Sequence, residues 1–130
     1  KLHKENNMTK TYITDMKGNT ADASSVTKPS DRHFRGAWVL NGNVITEDMT
    51  KAKEIFKDKI REVRRPLLEA EDVTYMKALE AGDSSAQSAC VTKKKALRDA
   101  TSTSAIDAAD TITKLKAAWD ASILGTSPYA

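Results

Sequence analysis

Thr46-Glu47-Asp48-Met49-Thr50-Lys51-Ala52-Lys53-Glu54-Ile55-Phe56-Lys57-Asp58-Lys59-Ile60 opens the stretch whose pattern decides the fold. Apolar or small residues follow one another at positions 49, 52, 56, 60, 63, 67, 70 and 74. Spacings of three and four keep one stripe of an α-helix facing inward. Thr46 or Asp48 can cap the helix, and Glu47 and Asp48 suit the positive end of its dipole. Pro66 removes the N–H that would bond the Glu62 carbonyl, so the segment is either a kinked helix or two helices meeting near Arg65. The stripe stays in phase across Pro66, which favours the kink. Lys77 to Ala81 followed by Gly82 reads as a helix end with a left-handed cap.

Downstream, Asp83, Ser84 or Ser85 caps a second helix running to about Asp99, with Ala86, Ala89, Cys90 and Leu97 as its apolar face. The short connection predicts a helical hairpin. Ser104-Ala105-Ile106-Asp107 has capping-box spacing. Thr111 starts a final short helix whose Ile112, Leu115 and Trp119 share a face, and residues 126 to 130 are expected to be a loose tail. Upstream, Gly36-Ala37-Trp38-Val39-Leu40 and Val44-Ile45-Thr46 flank Asn41-Gly42-Asn43, which predicts a β-hairpin at 35 to 46. Thr11 to Thr14 suits a short edge strand, and Lys17-Gly18-Asn19 is a turn that can fold it back on Thr20 and Ala21.

Residues 20 to 32 carry only Val26 as a large apolar group. They are expected to form a linker or extended arm that orders only against a neighbour. The run Lys4-Glu5-Asn6-Asn7-Met8 can be encoded as a ribosome-binding site just before a start codon, so Met8 is one expected natural start; residues left by a tag or an upstream segment are the other. The organisation expected is a leader and arm over 1–34 and one hairpin-plus-helices domain over 35–125. The fold class is α+β, mainly α.

A chain of 130 residues has room for one modest core. Leu, Ile, Val and Phe number only 23, against 18 Ala, so that core is thin. The 21 basic and 18 acidic residues nearly cancel, which permits folding and points to completion against a partner surface. No apolar run in these residues is long enough for a membrane span, no secretory signal is expected, and the lone Cys90 excludes an intrachain disulfide.

Catalytic and cofactor patterns are missing from the sequence. His3 and His33 are the only histidines, no metal-ligand spacing occurs, and five scattered glycines make no phosphate loop, so no cofactor and no enzymatic activity are expected. Glu69, Glu71 and Asp72 read as a solvated face rather than a cation site. Residues 51 to 65 hold seven basic and three acidic groups, which offers phosphate contacts at Lys51, Lys57, Arg61, Arg64 and Arg65. Glu54, Asp58 and Glu62 alternate with them at pairing distance and argue for a neutralised helix face instead, leaving nucleic-acid binding as the alternative function. Trp38 and Trp119 are the large anchors, read as core before interface.

Asp31-Arg32-His33-Phe34-Arg35-Gly36-Ala37-Trp38, Lys51-Ala52-Lys53-Glu54-Ile55, Arg61-Glu62-Val63-Arg64-Arg65, Leu67-Leu68, Asp72, Tyr75-Met76-Lys77-Ala78-Leu79-Glu80 and Ala96-Leu97-Arg98-Asp99 follow in order. Together, over residues 31 to 119, they resemble small tail proteins of marine tailed phages and are similar to the phage tail assembly chaperone pattern. The Trp-Pro or Pro-Trp end of that family is replaced here by Trp119-Asp120. The resemblance implies a non-catalytic virion or tail-assembly protein, found in host cytoplasm during assembly or in the virion. Its partners would be tail, fibre or other virion subunits, or a second copy of the chain. The expected partner-binding residues are Phe34, Trp38, Arg61, Arg64, Arg65 and Trp119.

Overall fold

The computed structural model describes residues 11–130; the Met8 start lies outside them. Two small antiparallel hairpins precede a set of helices, the α+β, mainly α arrangement expected. The chain divides into two compact units, Lys1–Ile55 and Phe56–Ala130.

In the first unit, β1 (Tyr12–Thr14) pairs with β2 (Thr20–Asp22), Ile13 standing opposite Ala21. The connecting turn has Gly18 at φ 84°, a backbone conformation that costs glycine nothing. Asp15 organises this turn. Its carboxylate accepts the backbone N–H groups of Lys17 at 3.0 Å and Asn19 at 2.7 Å, and that of Leu40, from the second hairpin, at 2.8 Å. Donation from Leu40 leads the causes that hold this carboxyl below its ordinary 3.8, ahead of Asn19 and Lys17 and against the opposing effect of burial. A depressed carboxylate stabilises the fold above its unfolded-state pKa and loses that contribution as pH falls through the folded value. Acidification below pH 4 should therefore speed amide exchange at Lys17, Asn19 and Leu40 selectively, and Asp15→Asn should flatten that dependence.

The second hairpin, β3 (Trp38–Asn41) with β4 (Val44–Glu47), turns at Gly42. Positive φ at Gly42 and not at Asn43 is the glycine-first pattern of a II′ loop. The hairpin begins three residues later than predicted, because Arg35–Ala37 form a 3-10 turn behind Phe34. Gly36 is required there: a Cβ would stand 3.0 Å from Ile55 Cδ1.

The linker expected at 20 to 32 is instead hydrogen-bonded into this unit. Asp22 lies in β2, the Thr27 N–H donates to Asn43 O at 2.8 Å, and the Ile45 N–H donates to Thr27 O at 2.7 Å. Backbone pairing supplies the order that apolar side chains could not. Asp48, one of the two expected caps, receives the Lys51 N–H at 3.2 Å.

α1 runs unbroken from Met49 to Ala81 with Pro66 inside. Glu62 and Pro66 are both exposed, so the carbonyl that loses its donor sits on the solvent side and the helix tolerates it. The inward stripe is as predicted at Ala52, Phe56 and Ile60. Beyond Pro66 it moves by one residue: Glu71, Tyr75 and Ala78 turn inward while Ala70 and Thr74 are exposed.

Gly82 (φ 66°) ends α1. The Asp83 N–H bonds Ala78 O and the Gly82 N–H bonds Leu79 O, a Schellman closure. Asp83 then caps α2 (Ser84–Asp99) by accepting the Ala86 N–H at 3.0 Å. Cys90 and Leu97 of its expected face are buried, whereas Ala89 is exposed. The two helices run antiparallel, bridged by Lys93 to Glu71 at 3.6 Å, Lys94 to Asp72 at 2.5 Å and Gln87 to the Ala78 carbonyl at 3.5 Å.

Three short helices close the second unit: α3 (Ser104–Ala108), α4 (Ile112–Ala117) and α5 (Ala121–Leu124). The predicted capping box does not form. Thr103 is the N-cap residue of α3, makes no side-chain cap, and keeps its Oγ1 buried without a partner. Thr111 caps α4 as expected through the Lys114 N–H at 3.2 Å. α5, not anticipated, is capped by Asp120 accepting the Ser122 N–H at 3.1 Å.

Ile112, Leu115 and Trp119 share the predicted buried face. The tail is packed rather than loose. Tyr129 is 8% exposed and stacks on Phe56 at 5.6 Å, with Trp119 edge-on to both rings.

Candidate functional site

Six residues expected at a partner surface are not brought together. Phe34 and Trp38 lie in the first unit, 0% and 2% exposed, and Trp119 in the second at 7%. All three are core residues. Arg61 donates to Asp58 at 2.7 Å, and the neighbouring pairs Lys59–Glu62 and Lys51–Glu54 neutralise the same helix as its charge alternation foretold. Arg65 is exposed.

Arg64 has a structural task. Its Nη1 donates to the carbonyls of Leu97 at 3.2 Å and Arg98 at 3.0 Å. These are among the last carbonyls of α2, which carry the negative end of the dipole; Leu97 O also accepts the Ala100 N–H, at 3.4 Å. The guanidinium thus closes α2 from α1. It ties the Arg61-Glu62-Val63-Arg64-Arg65 and Ala96-Leu97-Arg98-Asp99 motifs together, a pairing that nothing in their linear order reveals. Arg64→Ala should lower stability by about 1.5–3 kcal/mol, and urea denaturation with Arg64→Lys as the partial rescue measures it.

In the second unit, unpartnered surface is found in two places. On the distal half of the helical hairpin, Val73, Met76 and Leu79 of α1 and Val91 of α2 are 56%, 56%, 52% and 55% exposed. A groove of about 390 Å³ also lies in the second unit, among Leu67, Ala70 and Thr74 of α1, Ala96 of α2 and Ile123 of α5, with the Glu71–Lys93 pair on its wall. No family model, curated protein or solved structure matches this chain. Its surfaces have to be read on their own chemistry.

Among the described residues no three His, Cys, Asp or Glu side chains converge as a metal site, and no helix is long and apolar enough to cross a membrane. Asp31 and His33 pair at 2.8 Å on the surface. Among the described residues of the first unit, two buried side-chain atoms have no hydrogen-bond partner, Trp38 Nε1 and the Oε2 of Glu47. Burial first, and the Asp31 charge second, push its carboxyl above the ordinary value. A raised carboxyl favours the folded state while protonated and weakens it as pH rises through the interval between the unfolded and folded values. Glu47→Gln should therefore raise the melting temperature at pH 7 and leave it nearly unchanged at pH 4. Equal shifts at both pH values would mean that the charge is not the cause.

Proposed function

We propose that this chain is a non-catalytic tailed-phage protein, a virion or tail-assembly component that binds neighbouring structural subunits through the distal half of its helical hairpin. The observation that carries the reading is the exposure of Val73, Met76, Leu79 and Val91 on helices joined at that end by ion pairs. Exposed apolar groups grouped on one element mark interaction surfaces, and a hairpin with a polar seam gains apolar burial by docking. The ordered motifs over residues 31 to 119 support the phage assignment. The neutralised basic face of α1 weighs against the nucleic-acid alternative.

Met76→Glu combined with Leu79→Glu tests the surface. Both side chains are more than half exposed, so the melting temperature should hold while association with the particle subunits falls by a hot-spot amount of about 2 kcal/mol, roughly thirtyfold. Undiminished association would remove the hairpin from the interface. Mass spectrometry of purified particles separates the two roles: a structural component is present in symmetric copy number, a chaperone absent or substoichiometric.

A further inference from the structure

The first unit contains a groove of about 440 Å³ with β1 along one side and Lys28, Arg32, Arg35 and Trp38 among the residues facing it. Two independent features meet there. The first is a strand edge that no other described residue pairs. The Ala23 N–H bonds Thr11 O and the Asp15 N–H bonds Asn19 O, so the antiparallel alternation directs the N–H and C=O groups of Tyr12 and Thr14 away from β2. One step further this edge is closed, because the Met16 N–H donates to Trp38 O at 2.9 Å. The open edge is therefore short and specific to Tyr12 and Thr14, with the Tyr12 side chain 60% exposed beside it. Unpaired strand edges are templates for an added strand.

The second feature is charge. Lys28, Arg32 and Arg35 are exposed and make no ion pair with another described residue, unlike the paired basic groups at Lys51, Lys59 and Arg61 on α1. Arg32 is held in place, its guanidinium 5.8 Å from the Trp38 ring centre. Residues 1 to 10 carry Lys1, Lys4 and Lys10 against Glu5 alone, a net charge of the same sign as these three cations. A nucleic-acid strand would satisfy the cations. Its phosphates only accept, however, whereas the edge offers donors and acceptors in turn, as another polypeptide does.

We infer that the first unit binds an extended, acidic segment of a partner protein, which adds to β1 as a third strand and sets its carboxylates against Lys28, Arg32 and Arg35. The inference does not depend on the hairpin surface, and its test uses none of the hairpin residues.

The full chain is titrated against a fluorescent, end-capped peptide of alternating glutamate and valine, read by anisotropy. Saturable binding is expected, weakened about tenfold by Arg32→Gln with Arg35→Gln and also by high salt, and kept within about threefold by the double change to lysine. Lys28→Gln, which leaves the Trp38 ring untouched, should weaken binding as well; it serves as the second variant if the double change lowers the melting temperature. Amide exchange at Tyr12 and Thr14 should slow in the complex. Absence of binding, equal binding by the glutamine variants, or unprotected Tyr12 and Thr14 amides would each overturn strand addition. Tighter binding of a short oligothymidylate through the same three cations would replace the peptide with nucleic acid.

Discussion

Trp119→Ala is expected to lower the stability of the second unit by about 3–5 kcal/mol, a large part of the roughly 5–15 kcal/mol that a domain of this size possesses. The indole is 7% exposed and stands edge-on to Phe56 at 5.9 Å and to Tyr129 at 6.0 Å. Its N–H donates to Gly125 O at 3.0 Å, holding the chain beyond α5 in place. Alanine would remove the ring, both aromatic contacts and this hydrogen bond together. Trp119→Phe keeps most of the ring volume and loses the bond, so it should cost about 1 kcal/mol plus a packing term. Urea unfolding followed by far-ultraviolet circular dichroism distinguishes the two. A melting temperature unchanged in the alanine variant would mean that Trp119 is not a core residue.

Phe34→Ala should be comparably severe, about 3–5 kcal/mol, and confined to the first unit. Phe34 is fully buried there, where among the described residues the only other large buried apolar side chains are Trp38 and Ile45, beside Ala37 and Ala52. So small a core has nothing to refill the cavity. Loss of this unit should be read as rapid proteolysis at Lys28, a site shielded in the parent because Thr27 is bonded to both Asn43 and Ile45, while amide protection across α2 persists. Equal cleavage of parent and variant would show that residues 20 to 32 are an arm after all.

Features set by neighbouring residues were legible before any tertiary contact was known. The stripe at Ala52, Phe56 and Ile60, the hairpin turn at Gly42, the Gly82 stop and the Asp83 and Thr111 caps each depend on a few consecutive residues. Such signals are written in helical period, in positive φ at glycine and in the reach of one side chain to an N–H three residues on. The capping box at Ser104 misled because Thr103 took the cap position. A spacing rule does not say which residue stops being helical.

Distant partners decided the rest. Asp15 could not be identified as the anchor of the first unit because Leu40, its leading partner, lies 25 residues along the chain. Arg64 was a candidate partner-binding residue, and only the tertiary structure sets the last carbonyls of α2 beside it. Beyond Pro66 the side of α1 turned inward is the one that carries Glu71, whose carboxylate meets Lys93 of α2.

Phe34, Trp38 and Trp119 were candidate partner anchors and are buried, whereas Val73, Met76, Leu79 and Val91 remain exposed. A sequence records that these side chains avoid water. Burial in a core and burial against a partner draw on the same hydrophobic effect, so the periodicity determined that helices form and roughly which faces are apolar. Only the closure of the chain on itself determined which apolar groups were used up internally and which were left for another surface.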